Sequence, residues 1–157
     1  MKNDLMFKTN YEGIDGTLSW FEKVIPEPNV QNFIIQYSVM LEEVVEGLDA
    51  LGFPSKELNE IIEDLRAGNY TDFIKDTFWD IEKNSHKHIE FLDSLADVYV
   101  TTIGTAHTAN YKIKEAINEV NKSNWSKFDL EGNPIFNEFG KISKGPNYLK
   151  PNLEPYV

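Results

Sequence analysis

The chain has 157 residues, no cysteine, and 26 acidic against 15 basic side chains, for a formal net charge of −11. That length supports one domain with a real core, and the missing cysteine excludes disulfides, thiolate metal sites and cysteine nucleophiles. The negative charge repels phosphate polymers and anionic membranes, so neither a nucleic-acid polymer nor a membrane is an expected partner. A small phosphorylated ligand stays open, because a bound cation reverses the local field of an acidic pocket.

The N-terminal MKNDLMFKTNYEG lacks the apolar core of a signal peptide, and no stretch approaches a membrane span, so a cytoplasmic protein is expected. IDGTLSWFEKVI, residues 14–25, places apolar groups at helical spacing and stops before PEPN, whose prolines end one helix and open the next. Residues 29–51 repeat Phe33, Ile34, Tyr37, Leu41, Val44, Val45 and Leu48 at three and four, which predicts a second helix ended by GFP. SKELNEIIEDLRAG predicts a third, with Ser55 as N-cap and Leu58, Ile61, Ile62 and Leu65 inward. YTDFIKDTFWDIEKN predicts a fourth, capped by Thr71, with Phe73, Ile74, Phe78 and Ile81 inward. A long helix over 86–108 and another over 110–122 follow.

No alternating strand pattern appears, so the expected class is all-α: a bundle of about five or six helices over residues 1–123. Residues 124–157 carry most of the turn signals and read as an irregular C-terminal extension with a hairpin-like excursion. Its aromatic residues imply packing on the body or on a neighbouring subunit, within a single domain overall.

MLEEVVEGLDAL, residues 40–51, interrupts an oily helix with Glu42, Glu43 and Glu46, which share one arc and continue the direction of Ile35 and Val39. HIEFLDSLADVYVTTIGTA sets Glu90, Asp93, Asp97, Thr101 and Gly104 on one side of the long helix. Phe91, Leu92, Leu95, Val98, Tyr99 and Ile103 cover the other. Either acidic stripe alone is explained by a solvated face. Two such stripes facing each other would gather carboxylates into a cleft that only cations can stabilise. Hard oxygen donors without sulfur favour Mg²⁺, with Mn²⁺ able to substitute, and Mg²⁺ recruits substrate phosphates.

The segment EEVVE, Glu42 to Glu46, resembles the E-E-x-x-E signature of the all-α nucleoside triphosphate pyrophosphohydrolases, the MazG-like and phosphoribosyl-ATP pyrophosphohydrolase-like group. DSLADVYVTTIGTA departs from the usual E-x-x-D but is similar to a phage and bacterial branch reading D-x-[LI]-[AG]-D before GTA. EVNKSNWSKFDLEGNPIFNEFGKISKGPNYLKPNL is similar to that branch's C-terminal stretch, and the resemblance spans residues 14–153.

What this resemblance implies is Mg²⁺-dependent hydrolysis between the α- and β-phosphates of a nucleotide, releasing a nucleoside monophosphate and pyrophosphate. Its metal site would fall on Glu43, Glu46, Asp93 and Asp97, with Glu42 as water activator or outer partner. Lys127 and Lys144 would meet phosphates, and Asn124 a phosphate or the base. Trp20, Phe21 and tail aromatics such as Tyr148 would stack on the base. Members of the group form homo-oligomers, dimers or tetramers. The branch points to control of a deoxynucleotide pool, in host cytoplasm if the chain is phage-encoded. It leans to dGTP or dATP over dUTP or dCTP. A catalytically silent nucleotide sensor and a helical interaction protein are the rival readings.

Bland roles suffice elsewhere. His86 and His88 diverge by about 200° on a helix, which argues for surface positions over a shared metal. His107 suits a helix end. Phe78, Trp79 and Tyr99 read as core, and Asn110, Asn118 and Asn121 as decoration of a solvent face; solubilising charge would suffice for Lys141, Lys144 and Lys150, but the motif raises the phosphate reading above it for the lysine beside GPNY.

Overall fold

Asn29 and Asn32 start one of the chain's two long helices by exchanging side-chain-to-backbone hydrogen bonds of 3.0 Å, a reciprocal cap that satisfies two orphan N–H groups. The computed structural model describes residues 11–157, so the reading of the first ten residues lies outside it. Among the described residues there are six α-helices and no strand, apart from one isolated antiparallel bridge between Phe136 and Ile142. No described helix is long and apolar enough to cross a membrane.

Two compact units divide the chain. One comprises residues 27–95 and 138–141. It contains α2 (Val30–Ala50), α3 (Lys56–Arg66), α4 (Thr71–Ile74) and the first part of α5 (His86–Thr108). α2 packs on α3, and Ile34, Ile35 and Val45 of the one helix and Ile62 and Leu65 of the other are buried. The expected fourth helix is shorter than its apolar pattern: it turns into a π-helical stretch, Lys75–Trp79, and stops at Asp80. Its wider turn brings Phe78 and Trp79 against Phe33, with centroids 5.2 and 5.9 Å apart.

Ser55 is the N-cap residue of α3, as expected, but makes no capping bond with its side chain, and the cap of α4 is Tyr70 in place of Thr71. Ser55 gives its hydroxyl to Asp49 Oδ1 at 2.7 Å, and Thr71 lies inside α4. At Ser55 a side-chain partner across the turn outcompetes the local cap.

The other unit comprises residues 11–26, 96–137 and 142–157, of those described. Here α1 (Gly13–Val24) packs on α6 (Ile113–Trp125). Asn121, 2 % exposed, donates to the carbonyls of Tyr11 and Gly13 and accepts from Thr17, while Asn118 accepts from the Gly13 N–H at 2.8 Å. These asparagines are therefore the polar anchor of α1, not decoration of a solvent face: they satisfy backbone groups that the helix start leaves open. Asn110 also has a structural use, since its φ of +61° ends α5.

Trp20, Val24 and Phe128 form the apolar centre of this unit, with Phe21, Ile25, Trp125 and Ile142 around them. The tail is tied to α6: the Leu149 N–H donates to Ser126 Oγ at 2.7 Å, and the Lys112 N–H to the Tyr156 carbonyl at 2.8 Å. Gly145 fits only as glycine, because a Cβ there would lie 2.5 Å from the carbonyl oxygens of both Lys127 and Phe128.

Candidate functional site

On α2, Ile35, Ser38 and Val45 are buried, and Glu42 falls between them at a spacing of four and three. Glu42 therefore continues the buried face, with a side chain 28 % exposed, whereas Glu43 and Glu46 point out and are exposed. The three glutamates of one short segment have different surroundings.

Two cations compensate Glu42, and both approach the same oxygen. Arg66, in the last turn of α3, sets a guanidinium nitrogen 2.9 Å from Oε2, and Lys141 sets Nζ 2.5 Å from it. Lys141 arrives because Gly140 takes φ +75° and lies so close to α2 that a Cβ would stand 2.9 Å from Ile35 Cδ1. Partial burial by itself raises the Glu42 carboxyl. The hydrogen bond and charge of Lys141, then the charge and hydrogen bond of Arg66, outweigh that and hold it below the usual carboxylate range.

Asp93 and Asp97 lie one turn apart on α5, both exposed; the Asp97 carbonyl accepts from Thr101 Oγ1 at 2.7 Å. Glu90 on the same helix has an oxygen 3.7 Å from His86 Nδ1. The carboxylates of Glu43, Glu46, Asp93 and Asp97 make no ion pair or hydrogen bond among the described residues. Exposed carboxylates without sulfur suit a hard divalent cation in donor chemistry. No three acidic or histidine side chains among the described residues form a ready-made metal-holding group, so α2 and α5 each present a pair.

The residues read as contacts for the nucleotide occur in two small groups of the other unit. Trp20 is 5 % exposed, and its indole N–H donates to the Asn124 carbonyl at 3.0 Å, while Lys127 Nζ lies 5.9 Å from its ring. Trp20 thus serves the core of α1 and α6, and little ring surface is left for a ligand. Lys144 Nζ lies over the Tyr148 ring at 4.8 Å, on the turn that Gly145 seats.

Sequence reasoning passed over Arg66 and took Lys141 for solubilising charge. Both act through contacts distant in sequence, and no local pattern announces them. It also placed His88 at the surface, but the imidazole is half-buried, 4.2 Å from Phe78, with Nε2 buried and lacking a hydrogen-bond partner among the described residues. Tyr99, expected in the core, is exposed, as are Ile89, Leu92, Val98 and Val100 on α5. The described residues of this chain do not cover that side of the helix.

The fold is similar to the crystal structure of a provisionally assigned NTP pyrophosphohydrolase from Exiguobacterium sp. 255-15. The TM-score is 0.57 at 22 % identity, over 93 % of this chain and 90 % of that one. At such identity the likeness establishes the all-α fold. No protein-family model matches the chain, and no curated protein matches it in sequence.

Proposed function

We propose that the chain is a nucleoside triphosphate pyrophosphohydrolase, cleaving between the α- and β-phosphates to give a nucleoside monophosphate and pyrophosphate. The observation that carries this reading is the division of the E-E-x-x-E segment. Glu43 and Glu46 stand exposed on one side of α2, and Glu42 beside them is neutralised by two cations. The fold shared with a provisionally assigned NTP pyrophosphohydrolase supports it.

Glu43 and Glu46 on α2 and Asp93 and Asp97 on α5 would supply the oxygen ligands of Mg²⁺, with Mn²⁺ as the substitute in the assay. Bound there, the cation would polarise phosphoryl oxygens and offset their charge. Glu42 has two expected roles, proton acceptor and orienting partner. A carboxylate held below its usual range is a weak base at neutral pH, so its pairing favours the orienting role. Lys127 and Lys144 are the tail's cations for phosphate.

We further propose a homo-oligomer in which a second copy covers the apolar side of α5, where Leu92 is 68 % exposed. The preferred substrate is a purine deoxynucleotide, dGTP or dATP, consistent with a role in deoxynucleotide pool control in the cytoplasm. That preference rests on the sequence resemblance of the tail and of the Asp93 to Asp97 segment.

Incubation with each common NTP and dNTP, with Mg²⁺ or Mn²⁺, followed by chromatography of the products, tests the reaction and the base together. Monophosphate plus pyrophosphate is the expected result. Diphosphate plus orthophosphate would overturn it, and metal-dependent binding without turnover would make the protein a nucleotide sensor.

A further inference from the structure

Arg66 and Lys141 come from separate segments, α3 and residues 138–141, yet place their charged nitrogens 2.9 and 2.5 Å from the same carboxylate oxygen of Glu42. One carboxylate needs one cation for neutrality. Here two approach the same oxygen, one more than the neutrality of Glu42 itself requires. Two cationic donors converging on one oxygen is also the arrangement that binds a phosphoryl oxygen, for which arginine's planar fork is well suited.

The group is within reach of a ligand. The side chains of Glu42, Arg66 and Lys141 are 28, 33 and 41 % exposed, so none is sealed in the core. Its location is defined by close packing: α3 lies on α2, and Gly140 lies against Ile35. The backbone that carries Arg66 and Lys141 is therefore held by packing that does not involve the Glu42 carboxylate. The glutamate pair suited to a cation, Glu43 and Glu46, begins at the next residue of the same helix.

We infer that Arg66 and Lys141 form an oxyanion site for the polyphosphate chain of the substrate, and that the Glu42 carboxylate occupies it as an internal competitor. The identity of the natural anion rests on the pyrophosphohydrolase reading. The existence of the site does not. On binding, a phosphoryl oxygen takes the position of Glu42 Oε2 between the two cations, and Glu42 is released toward the side of α2 that carries Glu43.

The competition gives a test independent of catalysis: calorimetric titration of metal-free protein with inorganic tripolyphosphate. Glu42→Gln removes the competing charge and keeps the side-chain shape, so it should bind tripolyphosphate at least about tenfold more tightly than wild type, the worth of one charge-assisted hydrogen bond. Adding Arg66→Gln or Lys141→Gln to that variant should abolish the gain, and Arg66→Lys should retain part of it. No gain in Glu42→Gln, or a gain that survives loss of either cation, overturns the site and leaves an ordinary structural ion triad. If Glu42→Gln does not fold, Glu42→Asp, which retracts the carboxylate, carries the same expectation. A gain without NTP turnover by the wild type would uphold the site and remove the pyrophosphohydrolase reading; turnover without a gain would do the reverse.

Discussion

Lys141 holds Glu42 from 99 residues further along the sequence, through a contact of 2.5 Å onto the oxygen that Arg66 also approaches. The pairing depresses the folded-state carboxyl, so its contribution to stability is complete above the unfolded value. It begins to fade as the pH falls through the ordinary glutamate value of 4.5 and is lost below the depressed folded-state value. Glu42→Gln should therefore melt below wild type at pH 7 by about 2–4 °C, the equivalent of about 1 kcal/mol for a partly exposed ion pair. That gap should close on acidification. Melting curves of both proteins from pH 7 to pH 3 check this, and a gap that widens in acid would contradict it.

Gly145 and Gly47 should respond oppositely to alanine. At Gly145 the new methyl meets two backbone carbonyls that cannot rotate away, so Gly145→Ala should cost about 1–3 kcal/mol. It should also speed hydrogen exchange at the Leu149 N–H, which is tied to Ser126 by the same turn. At Gly47, inside α2, nothing lies within 4 Å of the added atom, and helix propensity predicts a gain of about 0.5–1 kcal/mol. Urea denaturation of the two variants measures both.

Asn121→Ala should be among the most damaging polar substitutions. It strands the carbonyls of Tyr11 and Gly13 and the Thr17 hydroxyl at a buried position, and three lost hydrogen bonds imply a cost of about 2–3 kcal/mol. Thr17→Val removes only one of these bonds and should cost about 1 kcal/mol. Equal effects in urea denaturation would mean that Asn121 does not act through this network.

Helix positions were legible because periodicity is local. The 86–108 segment is observed as His86–Thr108, and the 29–51 segment as Val30–Ala50. The π-helical stretch at Lys75–Trp79 was not, since its pattern differs little from an α-helix over one turn. At the candidate site, Ile35 and Val39 suggested one direction for all three glutamates, whereas Glu42 alone continues the buried face of Ile35, Ser38 and Val45. Its partners could not be read, because Arg66 and Lys141 reach it only after α3 and the 138–141 segment have packed. Asn121 was misjudged for a similar reason: an asparagine at helical spacing looks solvated until the carbonyls it serves, at the start of α1, come within 3.1 Å.

Metal dependence follows from the proposed ligand set. If Mg²⁺ binds the folded chain and not the unfolded one, saturation to 100 times Kd should stabilise it by about 2.7 kcal/mol. Glu46→Gln or Asp97→Asn should remove most of that gain and reduce turnover by more than about 100-fold, beyond the range typical of supporting residues. A melting temperature indifferent to Mg²⁺ and Mn²⁺, with activity unchanged in both variants, would dismiss the metal site.

The exposed side of α5 provides a separate prediction. Leu92 is 68 % exposed and has exposed apolar neighbours at Ile89 and Leu95 on the same helix, three residues away in either direction. A charge at such a position costs an isolated chain little, since surface substitutions usually fall within about 0.5 kcal/mol. In an oligomer the same charge would be buried without a partner, at a cost of several kcal/mol for each copy. Leu92→Lys should therefore lower the sedimentation coefficient to that of a single 18.1 kDa chain while the helical circular dichroism is kept. A wild-type protein that already sediments as a single chain, or a variant that stays associated, would show that the second copy does not rest on this face.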